Sequence, residues 1–190
     1  MKSRTPNICF DTKYKTYIYT TICVLILTIS ARVTLDLSLS IPLTLQTYAL
    51  GLIIVFTAPK ISVYSIFAYV ILGVIGVPVF SHGSHGVNII YGTTGGYIIG
   101  FLVAALFFYI IKTNANQNQK SATVLIWALI MHAIIILCGF VRLVNLVGYN
   151  DALHNGLLPL ILPATIKSMM IMATYYVYVI SKNKFKKNYK

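Results

Sequence analysis

The sequence predicts an all-α fold, a polytopic membrane protein built as a six-transmembrane-helix bundle. Three observations predict it. Charged residues make up 9% of the chain, against about 25% in an ordinary soluble domain. Hydrophobic residues make up 58% and the mean hydropathy is +0.82, more apolar surface than a water-soluble core of 190 residues could hide. The apolar residues also run continuously, without the two-residue alternation of a transmembrane barrel.

A hydrocarbon core about 30 Å thick takes roughly 17–25 apolar residues in a helix. The first run, 17–35, continues past the length of a cleaved signal and precedes no small-residue cleavage site, so it reads as a span. The second, 43–58, is short. Its boundary with the third, 61–77, rests on Pro59-Lys60, because proline disfavours helix before it and lysine seeks the interface. The runs 95–111, 123–147 and 157–180 complete one integral-membrane domain over 1–190. KTNANQNQKS (112–121) is a polar loop and 182–190 a basic cytoplasmic tail. Cys9, Cys23 and Cys138 are scattered, with no C-x-x-C pair.

The net charge is +12, which raises the question of nucleic acid. Its distribution answers otherwise. Lys2, Arg4, Lys13 and Lys15 precede the first span, and Lys60 lies between the second and third. Lys112 and Lys120 lie between the fourth and fifth, and Lys182, Lys184, Lys186, Lys187 and Lys190 follow the sixth. In a six-span chain these positions share one side, which the positive-inside rule assigns to the cytoplasm. Both termini are therefore expected in the cytoplasm, in a multi-pass protein of the cytoplasmic (inner) membrane. Membrane lipid is the expected partner of the basic tail, and nucleic acid is not expected, since no aromatic-interleaved basic motif accompanies the charge.

The opposite side carries DLSLSIPLTLQT (36–47), VPVFSHGSHGVNIIYGTTGGY (77–97) and GLLPLILPATIK (156–167). These loops are apolar enough to dip into the membrane. Irregular backbone at that depth must be covered by protein or line a cavity. An outward-facing cavity roofed by 36–47, 77–97 and 156–167 is expected.

Lys167, four residues after Pro163, is expected near the start of the last helix, where both the helix dipole and the low dielectric oppose a cation. An anionic ligand would relieve both; snorkelling to the interface is the plain alternative. Gln46, between Thr44 and Thr47, either caps the second helix or faces a polar ligand. Gly92, Gly96 and Gly100 form a stripe suited to close helix packing, whereas Gly95 suits backbone approach to a ligand. Tyr97 adds a ring and a hydroxyl. His82 and His85 lack a third metal ligand, so no metal is expected. Arg32, Arg142, Asp36 and Asp151 read as interfacial anchors, and His132 as a packing residue. No nucleophile elbow, H-E-x-x-H, phosphate loop or paired intramembrane carboxylate occurs, so no enzyme is expected.

Four of these segments carry a resemblance. IPLTLQT (41–47) resembles the P-x-T-L-Q-T segment of BioY proteins, the biotin-specific substrate-capture components of energy-coupling-factor transporters. ILGVIGVPVF (71–80) and GTTGGYIIGF (92–101) are similar to that family's L-G-x-x-G-x-P-V-F and G-P-T-G-G-Y-x-x-G-F motifs. GLLPLILPATIK is similar to its G-L-P-P-F-L-P-G-D-L-I-K segment. The family's Asp falls at Ala164, its Gly at Pro163 and its fourth-span Pro at Thr93, while Lys167 is kept. The resemblance implies a six-helix bundle that captures biotin near the outer surface and uses no cofactor. Thr44, Gln46, Gly95, Gly96, Tyr97 and Lys167 are the expected substrate-binding residues, with Gly83, Gly86, Asn88 and Tyr91 as a second set. The resemblance also implies a shared transmembrane protein and ATPases as partners. The first span offers Thr20, Val24 and Thr28 where an A-x-x-x-A docking stripe is usual, so action alone stays open. Two alternatives are a binding component for another small vitamin, and a structural membrane protein whose glycines only pack helices.

Overall fold

The structure, a computed structural model, describes residues 12–35, 42–114 and 119–188. The N-terminal Lys2 and Arg4, Cys9, the outer-loop residues 36–41, residues 115–118 of the polar loop, and Lys190 lie outside the described residues.

All six expected runs are helical. They correspond to α1 (Thr12–Arg32), α2 (Gln46–Phe56), α3 (Pro59–Val74), α5 (Gly95–Thr113), α6 (Ser121–Val147) and α8 (Leu158–Asn188). Two short helices, α4 (Val87–Tyr91) and α7 (Tyr149–Ala152), lie in the connections. A two-residue antiparallel bridge joins β1 (Thr34–Leu35) to β2 (Leu43–Thr44). Four helical stretches, within α1, α5, α6 and α7–α8, are long and apolar enough to cross a membrane. α2 and α3 are shorter apolar helices of 11 and 16 residues. At 1.5 Å per residue, α2 rises only about 16 Å.

The breaks have local causes. Pro59 takes the first position of α3, where its missing N–H costs nothing. Lys112, at the end of α5, donates to the carbonyls of Ile54 (2.5 Å), Val55 (3.3 Å) and Thr57 (2.7 Å). It thereby caps the C-terminus of α2, where unpaired carbonyls and the dipole both favour a cation. The sequence places Lys112 in a solvated loop; the structure makes it a tie between helices. After α3, Gly76 turns the chain at φ +108°. Phe80 then folds back over Gly73, where any Cβ would lie 2.1 Å from the ring.

Two expectations change. Residues 156–167 are not a roofing loop. The chain is helical from Tyr149, through a π turn at Leu153–Leu157, into α8. The wider turn keeps the apolar run helical ahead of Pro159 and Pro163. α8 also continues through the basic stretch to Asn188, so residues 182–188 are helix.

The core is one cluster that runs from Val79, Phe80 and Tyr97 to a layer near the lysine-rich end. Leu50, Ile53 and Ile54 of α2 meet Phe108 of α5, Met131 of α6 and Ile171 of α8, each at most 4% exposed. Gly96 and Gly100 let α5 sit directly on Cys138–Gly139 and Ile135 of α6, the small-residue packing the stripe predicts.

Candidate functional site

The helices α2, α5, α6 and α8 part at the end opposite the lysine clusters and leave a hollow of about 90 Å³ that opens at its mouth. Its apolar wall includes Leu43, Phe80, Ile98, Phe101, Ile135 and Leu160. Its polar groups are Thr44, Gln46, Thr47, Ser81, Thr94, Tyr97, His132 and Lys167.

Thr44 ends β2 and accepts the Gln46 backbone N–H on Oγ1 at 3.3 Å. Gln46 is buried, and its Nε2 donates to the Tyr69 hydroxyl at 2.9 Å. That hydroxyl donates in turn to the Val79 carbonyl at 2.9 Å. The relay anchors the 77–80 segment, so Phe80 is held over the hollow from two directions. Arg32 also donates to the Pro78 carbonyl on the same segment. Tyr97 lays its ring against Gly139, where a Cβ would fall 2.2 Å away. Its hydroxyl donates to the Gly156 carbonyl at 2.9 Å and fixes the π turn.

Lys167 is half-buried on α8 and crosses to α2. Its Nζ donates to the Thr44 carbonyl at 2.6 Å and to Thr47 Oγ1 at 3.1 Å. It stands nine residues after Leu158, with further helix before that. The dipole reasoning therefore fails, because the helix-end field fades beyond the first turn. Desolvation remains, and the two oxygens offset it. An ammonium has three donors, which leaves one for a ligand. Neither free snorkelling nor an unmet cation describes it.

Of the residues singled out in the sequence, Thr44, Gln46, Tyr97 and Lys167 come together at the hollow. Gly95 and Gly96 do not line it. The Ile90 carbonyl fills the space at Gly95, and the Arg142, Cys138 and Gly139 atoms fill that at Gly96. Gly83 lies under Arg32, and Gly86 turns at φ +89° with its N–H on the Gly73 carbonyl. Asn88 and Tyr91 are exposed on α4, and the Tyr91 carbonyl accepts from Arg142 at 2.6 Å. From the sequence, Thr94 and Phe101 carry no role, Thr47 appears only beside Gln46, and His132 reads as a packing residue; all four line the hollow. Ala164, Lys167 and Ser168 share one helical face at i, i+3 and i+4, a spacing that points toward His132 through its hydrogen-bond partner Ser168.

The fold and the hollow define a class: a helical multi-pass membrane protein with a one-sided apolar hollow edged by polar groups. Within that class the chain belongs to the BioY family, whose model matches residues 2–183. It is 27% identical over 150 residues to a probable biotin transporter BioY of Rickettsia prowazekii, covering 79% of this chain and 75% of that one. It is 37% identical over 128 residues to a probable biotin transporter BioY of Pyrococcus horikoshii, covering 67% and 74%. Its fold matches the crystal structure of an S-component for biotin from an ECF-type ABC transporter with a TM-score of 0.76. That match covers 90% of this chain and 92% of the other at 22% identity.

Proposed function

We propose that this chain takes up biotin across the cytoplasmic membrane, binding it in the outward-facing hollow. It works as a transport component and not as an enzyme. The observation that carries the reading is Lys167, a cation held at an apolar chamber by Thr44 and Thr47 with a donor to spare, in a chain of the BioY family. Biotin offers a ureido ring fused to an apolar thioether ring, with a carboxylate at the end of an alkyl chain. The wall suits the bicycle, and Lys167 suits either oxygen-bearing end. Thr44, Gln46 and Tyr97 shape the polar rim.

Both termini lie in the cytoplasm, because the basic ends of α1, α3, α5, α6 and α8 gather opposite the hollow. The energy for import comes from partners of the energy-coupling-factor kind, a transmembrane protein with ATPases. Equilibrium binding of labelled biotin to the purified protein, with other water-soluble vitamins as competitors, tests the reading. Saturable binding that only biotin displaces is expected. Displacement by another vitamin in preference to biotin would move the assignment, and Ala164 in the wall would be the first cause to examine.

A further inference from the structure

Building on the biotin reading, we infer that His132 positions the ligand, its Nε2 accepting a hydrogen bond from a ring N–H of the bound molecule. His132 stands in the wall of the hollow and is 4% exposed. Its Nδ1 lies 2.9 Å from the Ala128 carbonyl. A carbonyl can only accept, so Nδ1 carries the proton. Ser168 Oγ lies 3.0 Å from the same nitrogen, and its hydroxyl donates to the Ala164 carbonyl at 2.8 Å. These contacts from two helices fix the tautomer and the orientation of the ring. A neutral imidazole protonated at Nδ1 presents a lone pair at Nε2. That atom is buried and has no hydrogen-bond partner among the described residues.

An unmet buried acceptor is unfavourable unless a donor reaches it. None of the neighbouring polar groups among the described residues bonds to Nε2 in this structure. Two Lys167 donors go to Thr44 and Thr47, the Gln46 amide bonds to Tyr69, and the Tyr97 hydroxyl to Gly156. The complement holds on the ligand side. A ureido ring has N–H donors as well as an oxygen, and an ammonium can serve only the oxygen. His132 supplies what Lys167 cannot. A pocket with a fixed buried acceptor also rejects analogues that lack the matching donor, since the acceptor then stays unpaired.

The test uses two measurements on the full chain. The first is equilibrium binding of labelled biotin to wild type and to His132→Phe, which keeps ring volume and removes both nitrogens. The second is nitrogen NMR of histidine-labelled protein in which His82→Asn, His85→Asn and His154→Asn leave His132 as the sole histidine. The expected results are a loss of affinity on the order of tenfold or more and an upfield move of the Nε2 resonance on adding biotin, with Nδ1 still protonated. Unchanged affinity, or a loss of affinity with an unmoved Nε2 resonance, overturns the inference and leaves His132 as a packing residue. If His132→Phe does not fold, the resonance decides alone. Failure of wild type to bind biotin at any concentration overturns the biotin reading itself, and this inference with it.

Discussion

Lys112 and Lys167 hold opposite ends of the same short helix. Lys112 spends all three donors on the last carbonyls of α2, and Lys167 spends two on Thr44 and Thr47 at its start. The first cation sits where the dipole favours it. The second sits where the dipole does not, at the edge of the hollow. Two lysines from different helices, tied to the two ends of α2, thus have different work, and substitutions separate them.

Lys167→Met keeps the apolar stem and removes the charge. A charged hydrogen bond is worth about 1.5–3 kcal/mol net, so biotin affinity falls on the order of ten- to a hundredfold. Titration with labelled biotin, with thermal melts of both proteins, checks this. Normal binding by the variant would reduce Lys167 to a tie between α8 and α2.

Lys112→Met gives the converse pattern. It leaves the α2 carbonyls unmet at about 1–3 kcal/mol, and the melting temperature drops by several degrees. Biotin affinity of the folded fraction changes less than twofold, since Lys112 is far from the hollow along α5. Thermal shift and binding on the same sample read both quantities.

Gly139→Ala drives a methyl into the Tyr97 ring. Overpacking of this kind costs about 1–3 kcal/mol. The ring has the hollow on its other side, so binding and stability fall together. The control is Val141→Ala, two residues further along α6 with an exposed side chain. Its binding stays at the wild-type level.

Much of this was legible in the residues. Six apolar runs mark six helices because a bilayer demands length before anything else. Pro59 places a break where proline must. Lys167 stands out because an ionisable group in an apolar run needs a partner. The helical state of 156–167 was hidden by two prolines and a glycine that also describe a loop, and only packing decides between them. His132 looked like a packing residue because its partners, Ala128 and Ser168, are four residues away on one helix and 36 residues away on another. Gly95 looked open to a ligand because sequence does not show the Ile90 carbonyl filling its space.

Ala164→Asp restores the carboxylate that the resembling motif carries. Position 164 faces the hollow one turn before Lys167. The expected effect is tighter biotin binding by about tenfold or less, a neutral-ring hydrogen bond being worth about 0.5–1.5 kcal/mol. Abolished binding in a variant that melts normally would mean a different pose or a different ligand.

Single cysteines in a cysteine-free background report sidedness. His85→Cys should react with an impermeant maleimide added outside intact cells, and Lys120→Cys only after the membrane is opened. Labelling of Lys120→Cys from outside would invert the topology and remove the outward orientation of the hollow.

The layer of Leu50, Ile53, Ile54, Phe108, Met131 and Ile171 between the hollow and the lysine-rich end also has an electrical meaning. Each elementary charge crossing a membrane at 100 mV carries about 2.3 kcal/mol, so a leaky carrier would discharge the cell that it feeds. A close-packed hydrocarbon floor offers an ion no ligands and no water. In this structure the protein is thus an insulator with a cup on one face.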